Sequence, residues 1–564
     1  MARNSVQPHG WAALKLPNET LRVLQITPNT TISLGKYGSF PSNLLLERPF
    51  HLTYEVQERR DGESFSRLRV VPGTELNADL LAETADDETP VEEQPTLMDD
   101  DDEAEVEVGA EFATAVAAQD EDPGGSSRQT LTTAEIEELK SKGVDAGKEL
   151  VAKLMLSHTA LDQKSAFALA KYRLLKERKF LRRFTVLPVD VPLLARWMLE
   201  VREPAKILDM RLELIGLVAC WSDVHFGGSH GRWLAVDDTG GLLVAAMAES
   251  MGILYRDDAA AAETEAEAEM AKADDTNDTK ADDTNPADTS PKRRRTSCPR
   301  KRPRRGNDLD DHYASGNTIT LLHANSQPNL SLLRYFDYDA SDPNPPAPHH
   351  PLFTHLLAMS WLQLVSPDDD PAYAERPPDV SAEELASWKP NRRGNYFRKR
   401  RRWARIHQVV DGTRAGGFCG LAVASTMDPV SVLRHALPLL AGGSPIAVYS
   451  PHIEPLTRLA DCFTIARRAA WLSSPPPAAE GLTTAELERW QGSAEFPLNP
   501  TLLLGATVQT SRAKRWQVLP GRTHPHMTAR GGSEGYVFTG WRAIPAEGRV
   551  SARGKFQKKR VSGT

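Results

Sequence analysis

The stretch Gly231–Gly252, GRWLAVDDTGGLLVAAMAESMG, limits the possible folds of this chain more than any other. Trp233–Val236 is an apolar run suited to a strand buried on both faces, and Leu242–Met251 has the composition of a helix. Between them, the turn Asp237–Gly241 carries two carboxylates and two glycines. A buried strand, an acidic glycine-bearing turn and a helix together open many nucleotide-binding sheets. Glycine lets a cofactor come close, and the helix N-terminus faces its negative charge. A working cradle for a methyl donor needs glycines at alternate positions after the acid. Here Gly240 and Gly241 are adjacent, behind Asp237 and Asp238. The expectation is a scaffold for a cofactor with a degenerate turn, and no cofactor bound by this chain.

Strand and helix patterns alternate on both sides of this element. Residues 196–255 and 316–545 read as two parts of one doubly wound, Rossmann-like α/β domain, with further strands at Thr318–His323, Gly420–Ser425 and Ile446–Ser450. Helices are expected near Asn329–Phe336, Leu352–Leu364 and Leu456–Leu472, and closing strands at Leu502–Thr510, Arg515–Leu519 and Tyr536–Trp541. Residues 1–82 look different. Short β-rich runs between turn signals across Trp11–Val71 predict a small β-barrel. Residues 131–195 predict a helical linker ending in a basic helix, which makes the whole an α+β multi-domain chain.

Charge separates the remaining pieces. The net charge of −8 averages very unequal regions. Residues 83–122 hold 17 Asp or Glu and no Lys or Arg, so the insert 83–130 cannot bury enough apolar surface to offset chain entropy and should be disordered. A second insert, 256–315, carries basic clusters at 292–305 that read as a nuclear-localisation signal for an import receptor; residues 546–564 form a basic tail. No apolar run approaches the roughly 20 residues needed to span a bilayer, so no membrane partner is expected.

The candidate binding residues are basic and aromatic. In the N-terminal region these are Lys36, Tyr37 and Phe40, with core packing as the competing reading for the two rings. The presumed basic helix offers Lys171, Arg173, Lys179, Arg182 and Arg183. Lys389–Arg405 is the densest of the three: Arg392, Arg393, Arg398, Lys399, Arg400, Arg401, Arg402 and Arg405 would neutralise phosphates, and Tyr396 and Trp403 would stack on unpaired bases. A second import signal or a solvated helix face is the plainer alternative. Catalytic signals are weak. Asp428-Pro429 reads as a helix cap, and His524 and His526 have no further ligand at metal spacing, so neither catalytic nor metal residues are assigned.

Several segments together carry a resemblance: 37–43 with 49–56, 180–186, 238–248, 396–403, 428–432 and 517–525. They are similar to the non-catalytic, RNA-binding subunit of the nuclear tRNA (adenine-58-N1)-methyltransferase. The resemblance implies a methyltransferase-like C-terminal domain without catalysis, and a catalytic partner subunit that binds S-adenosylmethionine. It also implies pairing of two such heterodimers into a heterotetramer, with tRNA gripped by both subunit types. The missing alternating glycines place this chain on the silent side of that pair. The alternatives are a divergent active methyltransferase and an RNA-binding translation-initiation factor.

Overall fold

The computed structural model describes residues 4–57, 65–76, 146–157, 172–173, 176–177, 180–256, 313–341, 350–514, 516–519, 522–525 and 533–544. The acidic insert 83–130, the basic clusters at 292–305, Lys171, Lys179 and the tail 546–564 lie outside the described residues.

The N-terminal sheet is built from β1 (Trp11–Lys15), β2 (Leu21–Gln25), β5 (Thr53–Gln57), β6 (Arg67–Val70) and β7 (Arg183–Pro188), with β3 (Thr31–Ser33) and β4 (Ser39–Pro41) forming a separate hairpin. The order is β2-β1-β7-β5-β6 and every pairing is antiparallel. Among the described residues this ladder does not close; the described strands form an open sheet with the hairpin packed on its core, and the expected small β-barrel is not confirmed. Its core holds Leu14, Ile26, Phe40, Tyr54, Phe184 and Val186, and Phe40 stacks on Phe184 at 4.9 Å.

Within the expected helical linker, Ala146–Leu156 is a helix, and the central position of β7 corrects only its last part. Phe184 and Val186 alternate with outward residues, the period of a strand, and β7 pairs with β1 on one side and β5 on the other. The basic residues just before it obscure this short alternation in the sequence.

The second sheet has seven strands. They are β8 (Arg232–Asp237), β9 (Thr318–His323), β10 (Leu356–Ser360), β11 (Gly420–Ala424), β12 (Pro445–Ser450), β13 (Leu503–Gln509) and, after a hairpin of β14 (Trp516–Leu519) and β15 (Arg522–Pro525), β16 (Tyr536–Arg542). The order is β10-β9-β8-β11-β12-β16-β13. The first five run parallel, and β16 is antiparallel to both neighbours. Strand β10 is unexpected, since its residues lie inside a predicted helix.

Trp233 and Ala235 feed one apolar core and Leu234 and Val236 the other, because successive strand side chains point to opposite faces. Helices Val191–Glu200, Leu212–Trp221 and Leu242–Ser250 cover the first face; Pro429–Ala436, Ile453–Asp461 and the C-terminal half of Pro390–Arg414 cover the second. Ala13, Leu21 and Val189 join the first core, and Trp11 meets Tyr335 edge-on at 4.7 Å, so the N-terminal sheet is packed against the larger domain. No helix among the described residues is long and apolar enough to cross a membrane.

Candidate functional site

The chain leaves β8, winds outward through β9 and β10, then returns to the other side of β8 as β11. The crevice at the C-terminal ends of β8 and β11 is therefore the switch point where such sheets bind ligands. Both aspartates of the focal turn lie there, and both are engaged by the protein itself. Asp237 is buried; one oxygen accepts from the Thr239 amide at 2.6 Å and its hydroxyl at 2.5 Å, the other from the Val244 amide at 3.0 Å. The Thr239 hydroxyl in turn accepts from the Leu243 amide at 3.1 Å. Two of the orphan amides at this helix N-terminus, the usual anchor for a phosphate or carboxylate, are thus capped from within. Burial still drives the Asp237 carboxyl above its ordinary range, against the lowering effect of these donors.

Asp238 closes the mouth from side to side. Its Oδ2 accepts from the Ser425 hydroxyl at 2.5 Å and from the Thr426 amide at 3.0 Å, tying the end of β8 to the end of β11. Gly240 and Gly241 adopt φ of 73° and 94°, conformations that favour glycine. What approaches these glycines is another part of the chain. A Cβ on Gly241 would meet Leu330 Cα and Leu333 Cγ, each at 3.3 Å, and the Leu332 amide donates to the Gly240 carbonyl at 3.0 Å. At the end of β9 stands His323, where a ribose-binding sheet places an acid. The sequence signals the degenerate turn. It does not signal that Leu330–Leu333 covers it, because that contact joins segments about ninety residues apart.

The basic stretch folds as one 25-residue helix, Pro390–Arg414. Burial keeps Tyr396 from serving as a stacking platform, which corrects the expectation for it, whereas Trp403 is half-buried with its indole nitrogen engaged. Tyr396 is buried, donating its hydroxyl to the Pro378 carbonyl at 3.0 Å and accepting from Arg400 at 3.0 Å. The Trp403 indole donates to the Tyr373 carbonyl at 3.1 Å, while His407 stacks on the Tyr373 ring at 3.9 Å. These contacts strap the 370–380 segment along the helix. Arg400 also pairs with Asp379 at 3.1 Å, Arg401 donates to the Phe397 carbonyl, and Arg392 lies over the Trp388 ring at 4.0 Å.

Arg398, Arg402 and Arg405, spaced by four and three, share the opposite, exposed face with Lys399 beside them; Arg393 is exposed nearer the start. The helix thus divides into a gripping face and a cationic face.

The other predicted residues among those described lie on other elements. Tyr37 and Phe40 are core residues, as the packing alternative held, and Lys36 lies in the Gly35–Tyr37 turn. Arg183 is used internally. It pairs with Glu75 at 2.7 Å and Glu55 at 3.4 Å, and Arg69 binds the same two acids. Arg182 lends its carbonyl to the Val56 amide, and Arg173 pairs with Glu177 at 3.2 Å. No cluster of metal-ligating side chains occurs among the described residues.

Comparison with known proteins adds to this geometry. The Gcd10p family model matches residues 5–389. A relative from Aspergillus oryzae, 43% identical over 98% of this chain and 95% of its own length, is named tRNA (adenine(58)-N(1))-methyltransferase non-catalytic subunit trm6. Relatives from Aspergillus fumigatus (42% identical; 98% and 95% covered) and Schizosaccharomyces pombe (25%; 97% and 94%) carry the same name. Among solved structures, a SAM-dependent O-methyltransferase of Thermotoga maritima aligns with TM-score 0.36 and 8% identity over 97% of both chains. The tRNA (m1A58) methyltransferase of Aquifex aeolicus aligns with 0.33 and 7% over 96% of this chain and 99% of its own. The fold assignment rests on the strand order of the seven-stranded sheet. With a family model spanning most of its length and a relative 43% identical from end to end, the chain belongs to the Gcd10p family.

Proposed function

We propose that this protein is the non-catalytic subunit of a tRNA (adenine-58-N1)-methyltransferase, holding tRNA for a catalytic subunit that binds S-adenosylmethionine. The observation that carries this reading is the internal closure of the switch-point crevice. Leu330–Leu333 sits on the glycine turn, Asp238 staples β8 to β11, and Asp237 and Thr239 cap the helix amides. These residues do not fit a bound methyl donor. Entry would require Leu330 and Leu333 to move off the glycines and the Asp238 staple to open, at the cost of its hydrogen bonds to Ser425 and Thr426. No chemical step is assigned to this chain.

Its contribution is orientation. The exposed Arg398, Lys399, Arg402 and Arg405 would neutralise tRNA phosphates and fix the substrate relative to the catalytic subunit. Positioning of this kind can supply several kcal/mol of a barrier. We place the assembly in the nucleus as a heterodimer paired into a heterotetramer, entering through an import receptor that reads the basic clusters at 292–305.

The test is reconstitution. The chain alone, the catalytic subunit alone and the two co-expressed are assayed for methyl transfer to a tRNA transcript, and calorimetry follows S-adenosylmethionine binding to each. Activity only in the co-expressed pair, with no donor binding by this chain, is expected. Donor binding and methyl transfer by the chain alone would favour a divergent active enzyme.

A further inference from the structure

Where the N-terminal sheet meets the larger domain, a cleft of about 40 Å³ opens among Trp11, Phe50, Tyr255, Phe336, Asp190 and Arg256. Its chemistry is unusual for a seam between packed domains. Aromatic rings form its walls, yet it contains a guanidinium that satisfies nothing among the described residues. The Arg256 Nε is shielded from solvent without a hydrogen-bond partner, and the side chain makes no ion pair or ring contact among those residues. Asp190 lines the same cleft and does not pair with it. One Asp190 oxygen accepts from the Leu193 amide at 2.7 Å as a helix cap, and the other has no hydrogen-bond partner among the described residues. A shielded guanidinium nitrogen without an acceptor costs about 1–3 kcal/mol, yet the half-exposed Asp190 carboxylate in the same cleft does not close on it. Here they stay apart, with aromatic walls between the two domains around the gap.

We propose that this cleft is a slot for an unpaired guanine of bound RNA. The inference rests on the RNA-binding reading above. Aromatic walls suit the flat faces of a base splayed out of its stack. The arginine fork matches the acceptors O6 and N7, and a carboxylate matches the N1 and N2 donors on the neighbouring edge; adenine presents a donor where guanine has O6. The volume exceeds the roughly 10–15 Å³ that one water needs. It is too small for a whole nucleotide. The slot therefore takes the edge of the ring, and sugar and phosphate remain outside in solvent.

The experiment uses the full chain with GMP and AMP as probes, followed by calorimetry or ligand-observed NMR, and tRNA binding by the reconstituted complex. GMP is expected to bind about tenfold or more tightly than AMP, the scale of one good bidentate contact. Arg256→Gln should weaken GMP at least about tenfold. Asp190→Asn should weaken it comparably while keeping an acceptor for the Leu193 amide, so the helix cap survives. Equal binding of GMP and AMP, or variants that bind GMP as the native chain does, would overturn the slot. So would Arg256-dependent binding of a polyglutamate peptide in place of GMP.

The failure of the slot is separable from failure of the underlying reading. If Arg398→Gln/Arg402→Gln/Arg405→Gln lowers tRNA affinity while GMP does not bind, only the slot is refuted. If tRNA affinity ignores both sets of variants, both ideas fall.

Discussion

Asp238 shows how one side chain can change the use of an inherited crevice. Its carboxylate joins the ends of two parallel strands that a ligand would otherwise separate. Asp238→Ala should destabilise the fold by ~1–3 kcal/mol, because the Ser425 hydroxyl and Thr426 amide lose a charged acceptor. Calorimetric binding of S-adenosylmethionine should remain undetectable. Recovery of donor binding in that variant would mean the staple alone closes the site. His323, at the end of β9, gives a pH signature. Burial holds its imidazole below the ordinary 6.5, and His435 is lowered by burial in the same way. In the folded state both stay neutral longer than in the unfolded chain, so their stabilisation is complete above 6.5 and lost as pH falls below it. The melting temperature should drop between about pH 7.5 and about pH 5.5, and His323→Gln should flatten that slope. The degenerate turn is legible from the adjacency of Gly240 and Gly241. The staple is not, since nothing local to Asp238 names Ser425 as its partner.

Among the elements, the Pro390–Arg414 helix separates charge from anchorage. Composition announces both the cations and the rings. Only the folded helix shows that the rings face inward: Tyr396 and Trp403 fall on the side that meets the 370–380 strap, while Arg398, Arg402 and Arg405 fall on the other. Two mutations should therefore behave differently. Arg398→Gln/Arg402→Gln/Arg405→Gln should weaken tRNA binding and reduce its salt slope by about 0.9 for each phosphate no longer neutralised. Tyr396→Phe should leave the salt slope alone and cost about 1 kcal/mol of stability, because the hydroxyl and its hydrogen bonds with Pro378, Arg400 and the Val380 amide are removed. Filter binding across a salt series, with a thermal melt of each variant, distinguishes them. A fall in tRNA affinity with Tyr396→Phe and no change in melting would restore the base-stacking reading.

At the scale of the whole molecule, the inner parallel strands β8, β9, β11 and β12 of the larger sheet are legible. They are buried on both faces and read as continuous apolar runs, whereas the half-exposed edge strand β10 does not. The smaller sheet is legible only in part: the β-rich runs across Trp11–Val71 do form strands, but its middle strand comes from a distant part of the sequence. Thr53 and Thr185 share a 2.8 Å hydroxyl contact across 132 residues of separation. The segment 1–82, a domain by composition, is therefore a sheet without its centre. Expressed alone, it should show no cooperative melt, whereas co-expression with a segment carrying 180–200 should restore one; a sharp transition in the short fragment would refute this.

That dependence has a consequence during synthesis. At roughly 5–20 residues per second, the ribosome needs several seconds or more to pass from β6 to β7. Throughout that interval β1 and β5 offer open backbone edges to whatever strand arrives first. The gap between them is where a nascent copy is exposed to swapping with its neighbours, and chaperone demand for this chain should peak before residue 183 emerges.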